Sequence, residues 1–165
     1  MSGPDGLKGS VLRVKATLSA FGLDNRILEF DSTTRTSAEA AGAIGCAIGQ
    51  IAKTLVFRGK PSGQAIIVIA SGSNRVDENK LESHLGEKVA KADADFVREK
   101  TGFAIGGVAP IGHIGPVTVL IDSDLCRFSE IWAAAGSPNA VFRLTPADLT
   151  RITEGSIVDL ILDRV

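Results

Sequence analysis

Lys53 opens an apolar run, Lys53-Thr-Leu-Val-Phe-Arg58, whose β-branched and aromatic content predicts a strand. A cation at the root of a buried strand is costly unless something anionic meets it. Two readings stay open. The stem can snorkel along the sheet and leave its ammonium in water, or the ammonium can anchor a phosphate or a developing oxyanion. The stretch Gly102-Phe-Ala-Ile-Gly-Gly-Val-Ala-Pro-Ile-Gly-His113 carries too little side chain to pack, yet strand-like sequence follows it. It is either a wide turn or a set of backbone N–H groups able to approach and polarise a carbonyl. A lone cation plus a backbone-lined loop points to a pocket for an anionic or carbonyl-bearing ligand.

The remaining reactive side chains are less organised. His113 ends the glycine stretch and His84 falls in a predicted helix, and a lone histidine is more often structural or solvated than catalytic. Cys46, His84, His113 and Cys126 show none of the short spacings of structural zinc sites, so no metal and no cofactor is expected. Cys46 with a histidine as base lacks support, and burial as a small apolar residue suits it better. Ser137 and Asn139 can bond a ligand, although Gly136-Ser-Pro-Asn139 is also an ordinary turn sequence. No nucleophile, base and acid stand together. An enzyme built this way positions water or uses groups of its own substrate.

These residues need elements to hold them. Ser10 is expected to cap a first helix with Val11, Leu12, Val14, Leu18 and Phe21 largely on one face, ended by Gly22, with residues 1–9 flexible. Arg26–Phe30 reads as a short strand with Leu28 and Phe30 inward. Thr36-Ser-Ala-Glu39 is a capping box that launches an alanine-rich helix to Ile44. Lys53–Arg58 and Gln64–Ala70 form a hairpin across Gly59–Gly63. Helices are expected near Glu78–Leu85 and Ala92–Thr101. Strands follow at Pro116–Asp122 and Ala140–Leu144, then a helix from Thr145 with Pro146 at its first position, then a strand over Ser156–Asp163. Strands in hairpin-like pairs favour an α+β fold, a mixed and largely antiparallel sheet with surrounding helices, over a doubly wound one. No G-x-G-x-x-G or G-x-x-x-x-G-K-[ST] follows a strand, so nucleotide-fold readings lack support.

The chain has 165 residues, 44% of them apolar, and a net charge of −1. That predicts a single domain over 1–165 with a real core. It argues against charge-driven binding to DNA, while leaving room for a small basic patch that grips one end of an RNA. Two distant cysteines and an N-terminus without a signal-like apolar stretch predict a reduced cytoplasmic protein, and no apolar run approaches a membrane span.

Several segments carry a resemblance in a fixed order. Thr36-Ser-Ala-Glu-Ala-Ala41 is similar to a T-x-E-E-A-A helix start, and Gly49-Gln-Ile-Ala-Lys-Thr-Leu-Val-Phe57 to a Q-I-x-K-T-L segment. Next come the strand Ala65–Ala70, Asn74-Arg-Val-Asp77 with Lys80-Leu81, and Thr101-Gly-Phe-Ala-Ile-Gly-Gly-Val-Ala-Pro110. Pro116-Val-Thr-Val-Leu-Ile-Asp122 and the Gly136-Ser turn close the series. Over residues 10 to 155 the chain resembles the YbaK/ProX family of aminoacyl-tRNA deacylases, also found as the editing insertion of bacterial prolyl-tRNA synthetases. The resemblance implies a mixed α/β fold and hydrolysis of the ester joining a small amino acid, of the Cys- or Ala-tRNA(Pro) kind, to the 3′ end of a tRNA.

Carried over by position, Lys53 is implied to engage the terminal nucleotide or the ester. Gly106 and Gly107, with Val108, Ala109 and Pro110, are implied to hold the scissile carbonyl. Gly136 and Ser137 match the opposite wall. Phe30, Thr36, Ile51 and His113 complete the expected substrate pocket. Around Gly136 the cysteine-specific members carry basic residues where this chain has Pro138 and Asn139, so the aminoacyl group stays open. The implied partners are the aminoacyl-tRNA acceptor end and, as a candidate, prolyl-tRNA synthetase, with no membrane and no DNA. The leading expectation is a freestanding trans-editing hydrolase. A non-catalytic binder of tRNA or of a synthetase is the alternative, and a small-molecule-binding domain is a third reading.

Overall fold

Ala65–Ser71 is buried along its whole length, which requires cover on both faces of the sheet it belongs to. A computed structural model describes residues 3–24, 26–34 and 36–162, with side chains from residue 9 onward. Its helices are α1 (Gly3–Ala20), α2 (Ser37–Ile44), α3 (Glu78–Leu85), α4 (Ala94–Thr101) and α5 (Pro146–Thr153). Its strands are β1 (Ile27–Glu29), β2 (Ile51–Lys60), β3 (Ala65–Ser71), β4 (Lys88–Lys91), β5 (Thr118–Asp122), β6 (Ile131–Ser137), β7 (Ala140–Leu144) and β8 (Ser156–Val158). They form one mixed sheet in the order β1-β7-β6-β2-β3-β5-β8, with β4 also on β2. The β1/β7, β2/β3, β2/β4 and β6/β7 pairings are antiparallel. The β2/β6, β3/β5 and β5/β8 pairings are parallel.

Alternation along β3 sends Ile67 and Ile69 into one layer with Val14 and Leu18 of α1, Val97 of α4 and Leu149 and Ile152 of α5. Ile66 and Val68 enter the other layer, with Leu81 of α3 and Phe57. Ala40 and Ala41 of α2 pack on Ile51 and Trp132 beside that second layer. Each fully buried Ile or Leu contributes about 1.5–3 kcal/mol relative to exposure, so β3 is the backbone of both cores.

Local signals behave as expected where they are strong. Thr36 caps α2 by accepting from Glu39 N at 3.0 Å, and Thr145 and Asp148 form a reciprocal box at α5. Four expectations need correction. The first helix does not start at Ser10: it runs from Gly3, so residues 3–9 are helical. Pro4 sits in its first turn, where a missing amide has no helical acceptor to lose. Leu28 is 42% exposed, and Ile27 is the β1 residue that packs on the core. The fourth helix begins at Ala94, capped by Asp93, because the Lys88–Lys91 stretch before it is a strand that the sequence reading missed. The last strand ends at Val158.

Candidate active site

β2 changes neighbour along its length. Its first residues pair with β6, Ile51 opposite Trp132 and Ala52 opposite Ala133. Its last residues pair with β4, from Phe57 opposite Lys91 onward. Between them, residues 53–56 have β3 on one edge and no strand on the other. Val56 O accepts from Ala92 N at 3.1 Å on the open edge. Strand geometry therefore turns the Thr54 peptide groups to the same side.

Two cavities open at this gap, of about 590 and about 730 Å³. Lys53, Thr54, Leu55, Ile105, Gly106 and Val108 line both. The smaller runs toward Arg75, Glu78 and Lys91. The larger runs under Thr36 and Ala40 of α2 to Trp132, Ala133 and Ser137 of β6. The larger is therefore walled mostly by apolar side chains, many of them small, and the smaller is bordered by three cations and Glu78.

The Lys53 ammonium sits at the junction. Its Nζ donates to Asn74 O at 2.5 Å, in the turn after β3. Burial pushes its pKa below the usual lysine value and the nearby Arg75 adds to that, while Asp122 opposes both. Asp122, at the end of β5, is fully buried. Its carboxylate accepts from Ser71 N at 3.0 Å, from Asn74 Nδ2 at 2.9 Å and from Asp124 N at 2.9 Å. Thr54 Oγ1 is a buried oxygen with no protein partner among the described residues.

The glycine loop is held by contact. A Cβ on Gly107 would lie 2.8 Å from Ser137 Cα and 3.0 Å from its carbonyl carbon, so only glycine lets the loop meet the end of β6. Gly136 has φ of +99°, and a Cβ there would lie 2.8 Å from Ser10 O of α1. Arg13 of α1 clamps both ends of the loop, donating from Nε to Gly112 O at 2.7 Å and from Nη2 to Gly102 O at 3.0 Å. Its guanidinium lies 4.5 Å from the Phe103 ring centre. Gly107 N donates to Ala104 O at 3.0 Å. The amides of Gly106 and Val108 have no partner among the described residues.

Of the residues expected from sequence, Lys53, Thr36, Ile51, Gly106, Val108 and Ser137 come together around the larger cavity. The others lie outside the lining of both cavities. Ala109 and Pro110 are the buried part of the loop. His113 Nε2 faces Ala109 O at 2.9 Å and so carries its proton there; its ring meets Phe103 edge-on. Burial, with Arg13 nearby, lowers its pKa below the usual histidine value, leaving a neutral brace of the loop. Phe30 N donates to Asn139 O and Phe30 O accepts from Asn139 Nδ2, which ties β1 to the Ser137 turn.

Thr54, Leu55, Ile105 and Trp132 were missed. Only the adjacency of Thr54 to Lys53 was a signal, because the gap that exposes these residues is made by distant pairings. Cys46 packs beside α2 and burial pushes its thiol pKa up, which opposes a thiolate nucleophile. Among the described residues no group of three His, Cys, Asp or Glu side chains is placed to hold a metal. No described helix is long and apolar enough to cross a membrane.

Comparison with known proteins narrows what this arrangement is. YwhH of Bacillus subtilis (strain 168), an uncharacterized protein, is 33% identical over 144 residues, 87% of this chain and 91% of its own. A crystal structure of a candidate trans-editing enzyme for prolyl-tRNA synthetase superposes with a TM-score of 0.88 at 42% identity, covering 93% of this chain and 98% of that one. EbsC of Enterococcus faecalis, a candidate Cys-tRNA(Pro)/Cys-tRNA(Cys) deacylase, is 29% identical over 131 residues, 78% of this chain and 79% of its own. The model of the aminoacyl-tRNA editing domain matches residues 31–152, from just after β1 into the last turn of α5, and the chain belongs to that family.

Proposed function

We propose that this protein is a trans-editing hydrolase that removes a small amino acid, of the Cys- or Ala-tRNA(Pro) kind, from the 3′ end of a mischarged tRNA in the cytoplasm. The observation that carries the reading is the Lys53 ammonium at the junction of an apolar cavity and a cation-bordered one. The apolar cavity takes the aminoacyl side chain, with Thr36, Ile51, Val108 and Ser137 as walls. The smaller one, beside Arg75 and Lys91, takes the phosphate-bearing chain.

The ester then lies across residues 53–56. Water attacks its carbonyl carbon, the bond to the ribose oxygen breaks, and that oxygen takes the proton, releasing amino acid and tRNA. The Lys53 charge and the free amides of Gly106 and Val108 face the negative charge that develops on the carbonyl oxygen. The Gly107 amide is spent within the loop, so this glycine shapes the wall rather than donating to substrate.

A separate sieve of this kind is useful because a synthetase pocket discriminates a missing methylene by only about 1–3 kcal/mol. Prolyl-tRNA synthetase is the partner that fits such a task, as its misactivation products are the substrates proposed here.

The test is hydrolysis of a panel of tRNAs charged with alanine, cysteine, serine, threonine and proline. One small aminoacyl group is expected to be lost rapidly, and Lys53→Ala is expected to lower that rate by about a hundredfold or more. Equal rates for wild type and variant would remove Lys53 from the chemistry. Retention of tRNA without hydrolysis of any ester would make the protein a binding module.

A further inference from the structure

Asp122 is the one fully buried carboxylate among the described residues, and nothing in the proposed reaction touches it. Burying a carboxylate costs several kcal/mol unless its lone pairs are met. Here they are met by the turn that follows β3. Ser71 N and Asn74 Nδ2 both donate to Oδ2, and Asp124 N donates to Oδ1. Asn74 Nδ2 also donates to Asp124 Oδ2 at 2.8 Å, and Asn74 N closes the turn on Ser71 O. The Asn74 side chain is thus gripped by two carboxylates. The backbone carbonyl oxygen of Asn74, held in the same turn, accepts from the Lys53 ammonium.

We infer that Asp122 is a positioning residue for Lys53: acting through Asn74, it fixes the ammonium at the junction of the two cavities. The inference rests on the reading of Lys53 as the site's cation. A lysine has three donors on a four-carbon stem with free rotation. One donor on Asn74 O fixes the nitrogen and leaves the others for substrate. A neutral amide at position 122 would offer one acceptor oxygen where the turn uses two, and it would set no negative charge behind a half-buried cation.

The charged groups around that cation are few. Arg75 in the same turn opposes its charge, and Asp122 supports it. Glu78 on α3 and Lys91 on β4 border the smaller cavity. Asp124 also pairs with Arg127 at 3.4 Å.

The experiment follows the titration of Lys53 by NMR in protein labelled at lysine Cε, and kcat and KM for deacylation against pH. Asp122→Asn is expected to move the Lys53 midpoint, and the alkaline limb of kcat/KM with it, to lower pH. Arg75→Gln, at an exposed position that leaves the network whole, is expected to move both to higher pH. Asn74→Ala is expected to lower kcat about tenfold with little change in KM, because it cuts the side-chain link to Asp122 and loosens the turn whose backbone carbonyl holds the ammonium.

A Lys53 midpoint unmoved in Asp122→Asn, with thermal stability alone reduced, would overturn the inference and leave Asp122 a structural residue. Were Asp122→Asn not to fold, an unmoved midpoint in Arg75→Gln together with unaltered kcat in Asn74→Ala would overturn it equally. Wild-type protein that hydrolyses no ester while its Lys53 midpoint moves as expected would sink the functional reading and keep the positioning of Lys53.

Discussion

The Lys53 corner and the loop of residues 102–113 face each other across one opening, yet they are held in place by different means. The corner is polar. A buried carboxylate, an amide side chain and a carbonyl oxygen lead one to the next up to the ammonium. The loop is steric. Glycine positions let backbone press on backbone, and Arg13 and His113 tie off what remains. A hydrogen-bonded corner can be retuned by a change of charge at constant shape. A close-packed loop answers to volume and hardly to charge.

Gly107→Ala should give the largest effect of the loop variants. Its Cβ has only the Ser137 backbone to push against, so the wall moves as a unit. A displacement of that kind costs about a hundredfold in rate, with about 1–3 kcal/mol of stability. Deacylation kinetics and thermal unfolding measure the two, and the lost activity should not return at any pH. Recovery at altered pH would mean that the loop, too, is an electrostatic device.

Arg13→Gln comes next. It removes two hydrogen bonds that bracket the loop, and a fall of about tenfold in kcat with KM nearly unchanged is expected. Arg13 belongs to α1, outside the matched family segment, so an unaltered kcat would show that the loop keeps its shape without that helix.

The smallest effect is the pH response of His113. Its folded pKa lies below the ordinary value of 6.5, so the neutral ring contributes stability that is fully present above about pH 6.5 and lost as pH falls through the folded value. Thermal stability should therefore fall on acidification in wild type, and less so in His113→Gln. Parallel curves would assign the acid response to other groups.

The contrast also explains what could be read in the sequence. Thr36 and Thr145 announce their helices because a cap is a contact within four residues. Lys53 stood out because a cation beside apolar strand residues is unusual in any context. The Asn74 and Asp122 segments could be noted as matching a family pattern, but Lys53 and Asn74 are 21 residues apart and Asn74 and Asp122 a further 48. β4 went unseen because Lys88-Val-Ala-Lys91 is a strand only by virtue of lying on β2. The division of the site into two cavities was likewise out of reach, since it depends on where β6 leaves β2 and where β4 joins it. His113 is the reverse case. A histidine next to a candidate loop invites a role toward substrate, whereas its ring faces inward to the loop's own carbonyl.

The interruption along β2 bears on the life of the protein outside catalysis. A strand edge with unpaired peptide groups is a template on which another chain can add and aggregate. Here the open stretch, residues 53–56, is bounded by β6 at one end and β4 at the other. It lies at the floor of a cleft overhung by Ile105 and α2. An incoming strand would meet the flanking strands before it could pair. The molecule thus keeps exposed hydrogen-bonding groups where a small ligand can reach them and a misfolded neighbour cannot.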